Sequence, residues 1–137
     1  MKIKLEPWAY MPTRGHSTDA GLDLRTPIDI VIPAFDSAVI DTGVHIEIYP
    51  GLVGMLKSKS GLNVKKGILC EGVIDAGYTG SIVAKLYNNS DETVTFSAGD
   101  KITQLVILPV YIPHELCIVD EFDKTERGDC GFGSTGD

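Results

Sequence analysis

The sequence predicts an all-β fold, a sandwich or barrel of short strands with one short helix. Three observations predict it. Apolar and polar residues alternate with a period of two over most of the chain, helical periodicity is nearly absent, and Pro, Gly, Asp and Asn interrupt the alternation at short intervals. At 137 residues with 43% hydrophobic content, the chain is long enough to bury one core and too short for two.

The elements follow in order. Residues 21–25 (GLDLR) read as a strand that turns Leu22 and Leu24 one way and Asp23 the other. Residues 28–50 read as several two-period strands broken by Pro33, Asp36, Gly43 and Pro50. Residues 52–57 form another strand, after which Ser60 is placed to cap a short helix over residues 60–66. Residues 81–88 and 93–96 give two more strands, and residues 101–111 a last one containing the apolar run ITQLVILPV. Gln104 interrupts that run, so it either faces solvent or needs a partner. From Asp120 onward the chain is charged and Gly-rich, which divides it into a domain over residues 1–119 and an arm over residues 120–137.

Composition narrows the function. A net charge of −7 argues against a general nucleic-acid binder, which needs a basic face to displace counterions. A small phosphate ligand stays open, because Lys57, Lys59, Lys65 and Lys66 gather in an otherwise acidic chain. Cys70, Cys117 and Cys130 form no CxxC pair and sit near no histidine cluster, so they read as reduced thiols rather than a disulfide framework or zinc site. The start MKIKLEPWAYMP lacks the apolar stretch of an export signal and no run approaches a membrane span, so the expected location is cytoplasmic. The sequon Asn88-Asn89-Ser90 is then an ordinary turn, and Arg127-Gly128-Asp129 a chance match to adhesion sequences.

Several stretches could carry chemistry. In KSKSGL, residues 57–62, a Ser-Gly step opens a short helix among lysines, which suits phosphate oxygens; the same residues would also make a solvated basic turn. In GVIDAGYTG, residues 72–80, an apolar pair leads into Asp75, an Ala-Gly step and Tyr78, the pattern of a hairpin. Either Asp75 merely makes an Asx bond, or it orients a water while Tyr78 lies flat against a small ring or sugar. Asp23 is a third acidic candidate. His45 and Glu47 share a strand face, but with no third ligand evident they read as structural. The tail RGDCGFGSTGD sets Phe132 among glycines, too polar to pack by itself, so something outside the tail has to hold it.

Taken in this order, the stretches resemble the five motifs of the trimeric dUTP pyrophosphatases (dUTPases). Ala20 to Leu24 is similar to motif one and Lys59-Ser60-Gly61-Leu62 to motif two. Gly72 to Gly80 is similar to motif three, Gly99-Asp100-Lys101-Ile102-Thr103-Gln104-Leu105 to motif four, and Arg127 to Gly136 to motif five. The resemblance runs from Asp19 to the C-terminus. It implies a distorted β-barrel or jelly roll, assembled as a homotrimer whose active sites lie between subunits and are completed by a flexible C-terminal arm.

It also implies a reaction, hydrolysis of dUTP to dUMP and pyrophosphate by water attacking the α-phosphorus. Such an enzyme limits uracil incorporation into DNA and supplies dUMP for thymidylate synthesis. Asp75 becomes the catalytic base and Tyr78 packs on deoxyribose. The backbone around Gly72 and Ile74 reads the uracil edge. Lys59, Ser60, Gly61 and Gln104 hold phosphate oxygens, with Asp23 supporting them through water or a neighbouring side chain. Arg127, Gly133, Ser134 and Thr135 reach the distal phosphates while Phe132 stacks on uracil. The implied cofactor is Mg2+, bound mainly through the phosphates and water, with no protein side chain as a direct ligand.

Four departures accompany the resemblance. Lys59 and Lys101 stand where the family usually has arginine, and lysine cannot reproduce a bidentate fork. Cys130 stands where it usually has glycine, which matters if that position requires positive φ. Leu69-Cys70-Glu71 gives a hairpin before Asp75 that is shorter than in many bacterial relatives. The alternatives are a dCTP deaminase-related enzyme of the same fold, or a nucleotide-dependent regulatory binding protein on that scaffold. The second draws on a phage-like look in Ile74 to Tyr78 and in Val119 to Phe122, and would add a regulatory protein partner.

Overall fold

The structure, a computed structural model, describes residues 1–131. Strands β1 (Ile3–Leu5), β2 (Gly21–Arg25), β3 (Ile30–Ile32), β4 (Ser37–Asp41), β5 (Val44–Ile46) and β6 (Leu52–Lys57) precede the helix α1 (Ser60–Lys66). β7 (Ile68–Ile74), β8 (Val83–Asn88), β9 (Val94–Phe96) and β10 (Lys101–Pro109) complete the described elements.

The main sheet has the order β2-β10-β6-β7-β8-β4, and β1-β5 and β3-β9 form two small antiparallel pairs beside it. β7 changes partner along its length. Residues 71–74 pair with β6 and residues 68–70 with β8, so the sheet curls instead of running flat. The result is a mostly-β jelly roll, with Leu24, Ile32, Ile40, Leu56, Ile68, Ile82, Leu86, Ile102 and Leu105 buried at its centre. β8 shows the alternation most clearly: Val83, Lys85 and Tyr87 face out while Ala84, Leu86 and Asn88 are buried.

Asn88 explains the sequon. Its side chain is buried, its amide donates to Pro33 O at 2.9 Å and Glu92 O at 2.7 Å, and its Oδ1 accepts from Ser90 N at 3.0 Å. It closes the turn after β8 from inside. Among the described residues, no helix is long and apolar enough to cross a membrane.

Two local expectations are corrected, and one strand is added. Leu69, Cys70 and Glu71 are not a hairpin but the middle of β7, where Cys70 is buried and the Glu71 carboxylate meets Lys57 at 2.8 Å. Ser60 does not cap α1; the N-cap is Lys59, without a side-chain bond, and Ser60 is the first helical residue. β1, a three-residue edge strand with little burial, carries no alternation long enough to mark it in the sequence. The helix ends on Gly67, whose φ of 64° lets its N–H bond back to Asn63 O at 2.9 Å.

Candidate active site

The register of three strands brings the first group together. Gln104 of β10 is opposite Asp23 of β2 on one side and Lys57 of β6 on the other. The chain leaves β6 at Lys57 and enters α1 at Ser60, so Ser58 and Lys59 turn directly over this row. Lys59 binds one oxygen of Asp23, and Lys101 Nζ lies 2.7 Å from the other. Burial by itself would raise the Asp23 carboxyl. The hydrogen bonds and charges of Lys101 and Lys59 outweigh it and hold the group below the usual carboxylate range.

Gln104 finds the partner its position demands. Its Nε2 donates to Ser58 O at 3.1 Å, and its side chain passes so close to Gly21 that a Cβ there would strike Gln104 Oε1. Thr103 Oγ1 donates to Lys57 O at 2.9 Å, fixing the strand end from below. Ser60 and Gly61 are exposed, and a Cβ at Gly61 would meet nothing, which leaves their backbone open to an approaching ligand.

Asp75 and Tyr78 belong to a second group. Tyr78 N–H donates to Asp75 O at 3.2 Å and Gly77, at the third position, has φ 87°, the signature of a type II turn. Glycine is needed there because other residues rarely adopt that φ. Asp75 is exposed at the turn's start. Beside it, residues 71–74 bond to β6 on one edge, whereas β8 covers only residues 68–70 of the other. The backbone around Gly72 and Ile74 therefore borders an edge that β8 leaves free.

The two groups sit at different levels of the sheet. Gln104 and Lys57 mark one end of the β10-β6 pairing, and Ile74, opposite Gly54, marks a level three residues further along β6. At about 3.4 Å per residue and about 4.8 Å per strand, Asp75 and Gln104 are separated by more than roughly 10 Å.

The arm contributes a third set. The last strand ends at Pro109, before the Asp120 boundary, and every described residue from Leu108 onward is exposed. Arg127 Nε donates to Cys130 O at 3.0 Å and Cys130 N–H to Arg127 O at 3.1 Å, closing a turn in which Gly128, not Cys130, carries the positive φ. The backbone thus accepts the β-carbon of Cys130. Phe132, Gly133, Ser134 and Thr135 lie outside the described residues.

Among the described residues no three His, Cys, Asp or Glu side chains converge, and both oxygens of Asp23 face lysines. His45 and Glu47 go separate ways: His45 faces Glu6 and Thr79, and Glu47 faces Lys2. The thiols of Cys70, Cys117 and Cys130 are free.

An antiparallel jelly roll with a cationic, glycine-opened helix start and a separate acid–phenol turn beside a free strand edge is built to handle a phosphorylated ring compound. The family follows from comparison with known proteins. A family model described as dUTPase matches residues 8–136, and the chain belongs to that family. It is 40% identical over 138 residues to the deoxyuridine 5'-triphosphate nucleotidohydrolase of Corynebacterium efficiens, covering 98% of this chain and 76% of that protein. It is 36% identical to the Saccharomyces cerevisiae protein of the same name, over 99% of this chain and 94% of that one. Among solved structures it is similar to the dUTPase of Staphylococcus bacteriophage 80alpha with dUpNHpp, with a TM-score of 0.90 and 34% identity over 98% of this chain and 97% of that chain. It is also similar to a dUTPase of phage phi11 of S. aureus described with a structural Mg(II) ion, with a TM-score of 0.80, 34% identity, and 90% and 98% coverage.

Proposed function

We propose that the protein hydrolyses dUTP to dUMP and pyrophosphate at sites formed between subunits of a homotrimer. Its dUTPase family membership and relatives named deoxyuridine 5'-triphosphate nucleotidohydrolase support the reaction. The observation that carries the assembly is the separation of the two groups. In this assembly Asp75 and Gln104, set at different levels of the sheet, act on one α-phosphate from different chains. Residues 110–122 add to this, since Tyr111, Leu116, Ile118 and Phe122 are almost wholly exposed apolar side chains that a second copy would cover.

In this reading the Asp75 carboxylate orients a water and accepts its proton as the oxygen bonds to the α-phosphorus. The bond from that phosphorus to the bridging oxygen breaks, and pyrophosphate leaves. Tyr78 packs on deoxyribose, and the free edge at Gly72 and Ile74 reads uracil. From the neighbouring chain, Ser60, Gly61 and Gln104 hold phosphate oxygens, while Asp23 keeps Lys59 and Lys101 in place beside them. Arg127 has to leave its own turn to reach the distal phosphates, with Phe132, Gly133, Ser134 and Thr135 closing over the nucleotide. Mg2+ would be held mainly by the triphosphate and water and would neutralise phosphate charge.

The test is a nucleotide panel with the purified protein. Pyrophosphate release should be much faster with dUTP than with dTTP, dCTP or UTP. Ammonia release from dCTP would instead establish the deaminase alternative.

A further inference from the structure

The turn that carries Asp75 and Tyr78 is gripped from its far side by groups outside the chemistry. Ile82 N–H donates to Val44 O at 2.8 Å, Thr42 Oγ1 donates to Ile82 O at 2.7 Å, and Ser81 Oγ donates to Asp41. The remaining hold is His45 of β5, whose Nδ1 lies 2.8 Å from Thr79 O and whose Nε2 lies 3.1 Å from Glu6 Oε1. The ring is well covered, with 17% of the His45 side chain exposed.

A backbone carbonyl has no proton to give, so Nδ1 must carry one. Nδ1–H therefore donates to the Thr79 carbonyl, and Nε2 lies beside Glu6 Oε1 on the other side of the ring. Lys4, through a hydrogen bond and its charge, and to a smaller extent His45, hold the Glu6 carboxyl below the usual carboxylate range. The other charged groups around it are Lys4 of β1, Asp41 of β4 and the Lys2–Glu47 pair.

Thr79 is the residue between Tyr78 and Gly80. The Tyr78 hydroxyl donates to Ser81 O at 3.0 Å, so its ring is laid back over the Thr79–Gly80 peptide, and a Cβ at Gly80 would collide with it. Whatever fixes that peptide fixes the ring. We propose that His45 is a positioning residue for sugar discrimination: by holding Thr79 it sets the Tyr78 ring at the height that excludes a ribose 2′-hydroxyl. This inference rests on the dUTPase reading.

The test compares kcat and KM for dUTP and UTP in the full-length protein and in His45→Phe, His45→Asn and Glu6→Ala. In His45→Phe the ratio of kcat/KM for dUTP over UTP should fall up to about tenfold, as expected for one lost hydrogen bond, while kcat for dUTP stays within about twofold. His45→Asn, whose amide N–H can stand in for Nδ1–H, should recover most of the ratio, and Glu6→Ala should fall between. An unchanged ratio in folded His45→Phe overturns the proposal. So does an equal loss of kcat on both nucleotides that His45→Asn does not rescue, since that marks a purely structural residue. If His45→Phe does not fold, an unaltered ratio in Glu6→Ala overturns it and a reduced one supports it. Failure of the unmodified protein to hydrolyse dUTP is a separate outcome. It removes the reaction itself, and the proposal with it, before any variant is compared.

Discussion

Lys101 Nζ lies 2.7 Å from Asp23 Oδ2, and Lys59 takes the other oxygen, so one nearly buried carboxylate organises two cations from separate elements. Asp23→Asn would leave those cations with no counter-charge. Breaking a buried pair costs about 3–5 kcal/mol, but the lysine side chains are 27% and 36% exposed and can turn to water, which reduces the expected loss to about 1–2 kcal/mol. Because the folded Asp23 titrates below its unfolded value, its contribution is present above about pH 4 and disappears as pH falls through the folded value. Denaturant titrations should show the gap between wild type and Asp23→Asn closing in acid; a constant gap from neutral to low pH would contradict the ion-pair account.

Asp75→Asn should abolish most turnover and spare binding of a non-hydrolysable dUTP analogue. Loss of a positioned base is worth about 10²–10⁴-fold in rate. The amide keeps the shape of the exposed turn, so the melting temperature should not change. Full turnover by Asp75→Asn would remove it from the chemistry.

Mixing inactive chains tests where the site lies. Asp75→Asn and Gln104→Ala each damage a different half-site. Refolded together, they should form trimers in which an intact Asp75 faces an intact Gln104 across a subunit boundary, and activity should exceed the mean of the two parents. Activity that never rises above that mean would place both groups in the site of one chain.

Deleting residues 127–137 removes the arm segment expected to close over the nucleotide. Activity should fall severely while the assembly sediments as before, because the apolar side chains at Tyr111, Leu116 and Ile118 remain. Dissociation into monomers would mean that the segment is part of the scaffold.

Cys70 is fully buried in β7, with its N–H bonded to Ser58 Oγ at 2.9 Å, and burial pushes its thiol up. It should resist thiol reagents in the native protein and react only on unfolding, whereas Cys130 is exposed and should label readily. Rapid native labelling of Cys70 would show that this part of the sheet opens.

The sequence by itself determined the fold class and the ends of β2, β6 and α1, and it nominated the candidate site residues. Those features are local: two-period alternation, glycine at turns, and short motifs whose order survives in one dimension. The boundary at Asp120 follows composition, whereas regular structure ends at Pro109, because an apolar segment such as residues 110–119 reads as domain even where its own chain offers nothing to pack against. Tertiary structure alone decided that Lys59 and Lys101 share Asp23, that Gln104 reaches Ser58 past Gly21, and that His45 holds Thr79. It also separated Asp75 from Gln104. Each of these depends on strand register between segments far apart in the chain, and a register is set by how the whole core packs, which no local pattern of residues records.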